Sequence, residues 1–177
     1  MGNVILGLLL LSPMTLYLLN KQFERSISLI YSASLGSIRT AVLSLAARGL
    51  VESVDSVENG RSKKTYHPTP EGQAEFFRWM AAPIVGGDLE TQALSKLFFL
   101  GLLPDDAARV AVLRDIVDRA RADEGQLREV EGELEGMQVP EPLREIFRYQ
   151  KLTLEYGVRS HEVGREFFQR VLADLER

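Results

Sequence analysis

The chain has 177 residues, 45% of them hydrophobic, a formal net charge of -4 and no cysteine. That length allows one good core or two small ones, while the absence of thiols excludes disulfides, thiolate metal sites and a cysteine nucleophile, and makes the cytoplasm the expected compartment. The negative charge argues against a nucleic-acid partner only until the chain is divided near Val85: residues 1–85 hold 8 Lys/Arg and 6 Asp/Glu, net +2, and residues 86–177 hold 13 and 19, net -6. The first part can then face phosphate while the acidic part is held away from it.

Asn3 to Leu11 reads as a short, almost wholly apolar helix. It is too short to span a bilayer, and it has neither a basic flank nor a small-residue cleavage site, so neither a signal peptide nor a membrane anchor is expected. Ser12-Pro13 breaks it and restarts a helix that runs to about Phe23, with Pro13 in its first turn. Ser34 is the expected N-cap of a third helix, in which Leu35, Ile38, Val42 and Leu45 share a face and Gly49 supplies the C-terminal stop. Leu50–Val57 and Ser62–Pro68 read as strands joined by an Asn59-Gly60 turn. Pro70-Glu71-Gly72 opens a fourth helix bearing Phe76, Phe77, Trp79 and Met80, and Pro83 with Gly86-Gly87 marks a domain boundary.

Beyond the boundary every element reads as helical: Glu90–Leu100, then a long helix from Pro104-Asp105-Asp106, then Leu143–Leu175 after Pro140 and Pro142. In the long helix Val110, Leu113, Val117, Ala120, Leu127 and Leu134 follow a 3–4 alternation that Glu124 and Glu131 interrupt. A final helix of this length would measure about 50 Å. Gly157 and Gly164 within it each cost about 1 kcal/mol relative to alanine, which close crossing by a second helix would explain. The expected dimer surface is Leu154, Gly157, His161, Gly164, Phe167, Phe168, Val171 and Leu175. Folding back of this helix onto residues 104–137 is the intramolecular alternative.

The order helix, helix, helix, hairpin, helix is that of a winged helix-turn-helix, whose third helix enters the major groove of double-stranded DNA while the hairpin grips the backbone. With Ile38, Val42 and Leu45 turned inward, Ser37, Arg39, Thr40 and Ser44 face solvent, and Ser34 with the free N–H groups of the first turn offers a phosphate site. Arg61, Lys63 and Lys64 at the hairpin tip, with Tyr66 beyond, suit backbone contact. The same cations also protect a hairpin edge against strand addition.

These residues resemble the PadR-type regulators, the family named for control of phenolic acid decarboxylase. The resemblance runs through Ile5-Leu6-Gly7-Leu8-Leu9 with Ser12-Pro13-Met14-Thr15 and Tyr17, Gly36 to Leu45 with Arg48-Gly49-Leu50-Val51, Gly60 to Tyr66, and Thr69-Pro70-Glu71-Gly72. In the second half it runs through Leu97-Phe98-Phe99, Leu102-Leu103-Pro104 and Leu152 to Gly157. It implies a winged-helix domain over 1–85, an all-helical dimerisation domain over 86–177, crossing C-terminal helices, repression of transcription, and in some members a small-molecule effector. Arg39 stands where the family carries tyrosine, Leu16 and Leu18 replace a glycine and a polar residue, and Ser62 replaces a wing proline. The two leucines suggest extra packing.

Phe76, Trp79 and Met80 are either core or the lining of a pocket for an aromatic effector. The two histidines, His67 and His161, have no metal-spaced or nucleophilic neighbours in sequence, so no enzyme, no catalytic residue, no metal and no cofactor is expected. Their readings are a hairpin surface residue and a helix-packing residue, with pH or ligand sensing as the alternative. A helical protein-interaction adaptor that keeps the winged-helix fold without reading DNA is the competing function; salt-dependent duplex binding separates the two.

Overall fold

The computed structural model describes residues 1–58 and 61–177, with backbone alone for Glu58 and Arg61. The Asn59-Gly60 turn expected from sequence lies outside the described residues. The described chain is mostly helical with one antiparallel two-stranded hairpin, and it forms two compact units, Met1–Ala82 with Leu94–Leu103, and Pro83–Ala93 with Pro104–Arg177.

The first unit is built around α1 (Gly2–Leu11), whose Val4, Ile5, Leu6, Leu8 and Leu9 are all buried. Each such side chain contributes roughly 1.5–3 kcal/mol when fully removed from water, so a helix with no polar face holds the centre. Around it lie α3 (Leu35–Ala47), α4 (Pro70–Ala81) and the second hairpin strand. Gly7 lets the rings of Phe76 and Phe99 press on α1, since a Cβ there would come within 2.7 Å of Phe99 and 2.8 Å of Phe76.

Pro13 does not open the second helix. The chain stays extended through Met14, which bridges to Tyr66 with hydrogen bonds of 2.8 and 3.2 Å, and α2 (Leu16–Gln22) starts after Thr15, whose hydroxyl accepts from the Leu18 N–H. One π-helical turn, Phe23–Ile27, continues α2 and buries both Phe23 and Ile27. The added leucines of this region do not both pack, because Leu18 remains largely exposed.

In α3, Ile38, Val42 and Leu45 are buried as the periodicity predicts, but Leu35 at the first turn stays 53% exposed. Gly49 follows the helix at φ +71°, a left-handed conformation that favours glycine. Strands β1 (Val51–Glu58) and β2 (Arg61–Pro68) pair from Val51 opposite Pro68 to Glu58 opposite Arg61. The hairpin base is tied to its neighbours through Thr69, whose hydroxyl donates to Gly49 O at 2.7 Å and accepts from the Gly72 N–H, while its own N–H donates to Leu50 O.

Helix α5 (Leu89–Phe98) runs from residues grouped with the second unit into residues grouped with the first. The second unit is a helical hairpin of α6 (Asp106–Glu135) and α7 (Arg144–Leu175). Asp105 caps α6 by accepting from the Ala108 N–H at 2.8 Å. The two helices run antiparallel, since Arg114 pairs with Glu176, Glu124 with Arg165 and Arg128 with Glu162. The intramolecular fold-back foreseen as an alternative therefore exists. Val112, Leu113, Ile116, Val117 and Ala120 form the buried side of α6, whereas Val110, Leu127 and Leu134 are only half-buried.

Candidate nucleic-acid interface

The N-terminus of α3 is closed by a reciprocal cap. The Ser37 N–H donates to Ser34 Oγ at 3.2 Å, the Ser34 N–H donates to Ser37 Oγ at 3.0 Å, and the Ser37 hydroxyl donates to Ser34 O at 2.8 Å. This capping box satisfies two orphan N–H groups internally. It also spends both serine side chains, so the phosphate site expected at Leu35–Ser37 keeps only the N–H groups ahead of Ser37. Thr40 is likewise turned onto its own helix, donating to Gly36 O at 3.0 Å. Arg39 and Ser44 stay exposed with no such tie on the helix. Sequence reasoning placed the four residues on the outward side but could not see that two of the hydroxyls are committed to backbone.

At the far end of α3, Arg48 reaches Glu75 of α4 at 3.3 Å, and Arg78 reaches the same carboxylate at 3.1 Å. This pair holds the helix that carries Arg39 to the helix behind it, although such an exposed pair is worth at most about 1 kcal/mol.

The hairpin divides its cations. Adjacent residues of a strand point to opposite faces, so Lys63 and Lys64 cannot lie against the same surface. Lys64 is half-exposed and lies 3.8 Å from Asp55, its cross-strand partner; Lys63 is half-buried opposite Ser56. Arg61 belongs to β2 by backbone. Tyr66 does not offer its ring to a ligand. It is only 6% exposed and sits at the Met14 bridge, so it braces the base of the hairpin instead of contacting nucleic acid.

Phe76, Trp79 and Met80, expected to be core or pocket, are not equally buried. Phe76 and Met80 are fully buried, and the Phe76 ring lies 5.4 Å from Phe77, 5.7 Å from Trp79 and 5.6 Å from Phe99, in tilted and edge-to-face arrangements. Trp79 is half-buried. Lys96, not singled out by sequence, is buried beside it: its ammonium donates to Ala82 O at the C-terminus of α4 and lies 5.9 Å from the Trp79 ring centroid. A cation there offsets the negative end of the helix dipole. Its only sequence signal is a lysine in an otherwise apolar stretch.

In the second unit, Leu154, Gly157, His161, Gly164, Phe168, Val171 and Leu175 recur at 3–4 spacing along the side of α7 that meets α6. Gly157 lies there with open van der Waals space, a Cβ falling 3.8 Å from Leu127, and a Cβ on Gly164 would touch nothing within 4 Å. No close crossing inside the chain requires either glycine. His161 Nδ1 donates to Gly157 O at 2.9 Å, which keeps the ring on its own helix. Of the expected dimer residues Phe167 alone falls outside that side, and it joins Tyr149, Leu152, Tyr156 and Val163 in an exposed apolar stripe. Glu124, which sequence treats as a break in the heptad pattern, is buried and accepts from Arg165 at 2.5 Å and Arg128 at 2.9 Å. The Arg165 hydrogen bond holds its carboxyl below the usual glutamate range, against burial, which pushes it up; Arg128 adds to the lowering. A cleft of about 480 Å³ opens near the connected end of α6 and α7, lined by Phe147, Leu152 and Leu154 together with Arg144, Arg148 and Lys151 and with Glu131, Glu135 and Glu155.

Among the described residues no helix is long and apolar enough to cross a membrane. Residues 5–78 match the transcriptional regulator PadR-like family, and residues 92–176 match the virulence activator alpha C-terminal family. Among proteins of curated function none matches this chain. Similar solved structures include Bacillus subtilis PadR in complex with operator DNA, 19% identical over 98% of both chains with TM-score 0.44. A PadR-like transcriptional regulator from Bacillus cereus is 23% identical over 99% of this chain and 97% of that one, with TM-score 0.41. Bacillus subtilis PadR in complex with p-coumaric acid is 18% identical over 99% of this chain and 95% of that one, with TM-score 0.41.

Proposed function

We propose, for a chain that belongs to the PadR-like family of transcriptional regulators, the role of a sequence-specific, cytoplasmic DNA-binding repressor that reads a palindromic operator as a homodimer. The observation that carries this reading is the outward side of α3, where Arg39 stands exposed on a helix whose buried side and N-terminus are both secured. A guanidinium so held suits the O6 and N7 acceptors of guanine in the major groove. Lys64 on the hairpin, with Lys63 and Arg61 as further candidates, supplies backbone contact.

Residues 1–85 are the proposed reading domain and residues 86–177 the proposed dimerisation domain. The stripe Tyr149, Leu152, Tyr156, Val163 and Phe167 supports dimerisation by α7 better than the α6-facing residues do, because the latter are already covered within the chain. Two-fold symmetry would set two copies of α3 on successive major grooves roughly 34–36 Å apart. A small-molecule effector is also part of this reading. The cleft between α6 and α7 supports it, since it sets the apolar surface of Phe147, Leu152 and Leu154 beside charged side chains of both signs that can orient a polar group.

Selection of full-length protein on a pool of random duplexes tests the proposal. A palindromic sequence should emerge, bound about 10³-fold or more tighter than scrambled duplex, with log affinity falling linearly in log salt. Equal affinity for every duplex, or none for any, overturns it.

A further inference from the structure

The outward side of α3 is unusual in what it leaves free. Gly36, Thr40, Leu43 and Ala47 lie opposite the buried Ile38, Val42 and Leu45, with Arg39 at one edge and Ser44 at the other. The Ser34 and Ser37 hydroxyls are taken by the cap, and the Thr40 hydroxyl donates to Gly36 O, which turns its donor away from any ligand. What remains is one guanidinium, the Ser44 hydroxyl at the far edge, and a set of carbon surfaces between them. Leu43 and Leu35 are each 53% exposed, one helical turn after and one turn before Arg39.

The major groove offers one apolar feature, the thymine 5-methyl group. An isobutyl group has no other favourable contact among base edges, since facing an amino group or a carbonyl strips water from it without return. We infer that Leu43, one turn after Arg39, reads a thymine methyl group flanking the guanine that Arg39 contacts. The inference rests on the duplex-binding function proposed above and deepens it. The rise from Arg39 to Leu43 is about 6 Å, close to two base steps of about 3.4 Å, so the thymine lies within about two base pairs of the guanine. The basic groups proposed to bind phosphate lie on the hairpin, leaving α3 with the single cation Arg39, so that specificity beyond its guanine contact falls to methyl contact.

Deoxyuridine differs from thymidine in this groove by the methyl alone, which allows a direct test. Full-length protein is first used to select its preferred duplex, and affinity is then measured for that duplex and for a copy in which every half-site thymine is replaced by deoxyuridine. Wild type should lose about fourfold per methyl read, the worth of one buried carbon group. Leu43→Ala, at an exposed position and with unchanged thermal unfolding, should bind the two duplexes alike, whereas Arg39→Ala should bind both more weakly yet still prefer thymine. Equal wild-type affinity for the two duplexes, a selected half-site without thymine near its guanine, or full discrimination retained by Leu43→Ala each overturns the inference. Absence of any selected duplex instead overturns the DNA-reading function on which it stands.

Discussion

Arg39 is the side chain on which base reading turns in the proposed function. Arg39→Ala should weaken operator binding by about 1–3 kcal/mol and relax the preference at one base pair, leaving non-specific binding nearly intact. Competitive titration against single-base operator variants measures both effects, and an unchanged operator affinity in a folded variant refutes the assignment. Gly72 poses a different constraint. A Cβ there would lie 1.9 Å from Leu50 O, a backbone atom held by the Thr69 N–H and therefore unable to move aside cheaply. Gly72→Ala should cost about 1–3 kcal/mol in urea unfolding, in the manner of overpacked sites. Gly164→Ala, which meets nothing within the chain, should stabilise the isolated protomer by up to about 1 kcal/mol through helix propensity. Sequence composition alone treats these two glycines alike.

Among the elements, the hairpin and the α6–α7 pair each turn on one pairing detail. Because Lys63 and Lys64 point to opposite faces, replacing both by glutamine should flatten the log-affinity against log-salt slope by about one unit, the loss of one phosphate contact, where the sequence pattern implies two. A sequence-selective loss with unchanged slope would remove the hairpin from the interface. In α6, the charge of Glu124 is favoured in the folded state, since its carboxyl is held below the usual glutamate value of 4.5. Its contribution is present above that value and is lost as pH falls through the depressed folded value. Glu124→Gln should therefore be less stable than wild type near neutrality, with the gap closing as pH falls through the depressed folded value. Arg165→Met, which leaves a buried acceptor short of its main donor, should cost about 1–3 kcal/mol at neutral pH. Chemical denaturation across pH reads both, and a gap independent of pH would show that the Glu124 charge does not contribute.

At the level of the whole molecule, the proposed function depends on association. If α7 joins two copies through its exposed stripe, Tyr156→Asp should give monomers in sedimentation velocity, because a carboxylate would then be buried at the contact without a partner. Tyr156 is 74% exposed in the chain, so the same change should leave the unfolding temperature of the protomer unaltered. Operator affinity should fall steeply with the loss of the second half-site. A dimeric Tyr156→Asp protein that still binds its operator would place the interface elsewhere.

The sequence by itself determined those features that rest on local chemistry: Ser34 as a cap, Gly49 as a left-handed stop, the apolar periodicity of Ile38, Val42 and Leu45, the paired strands, and Pro70 with Glu71 at the start of α4, though not Pro13 at the start of α2. These follow from backbone sterics and from a repeat of 3.6 or 2 residues, which neighbours in sequence suffice to specify. Only the tertiary structure decided which partners the residues meet. Tyr66 became a brace because Met14 pairs with it across the unit, Phe76 became core because Phe99 and Gly7 close over it, and Glu124 became a buried anchor because Arg165 comes 41 residues later. A charged residue on a helix has no assigned partner until a second element is packed against it. That is why one apolar side of α7 turned out to be covered within the chain while the other remained in solvent.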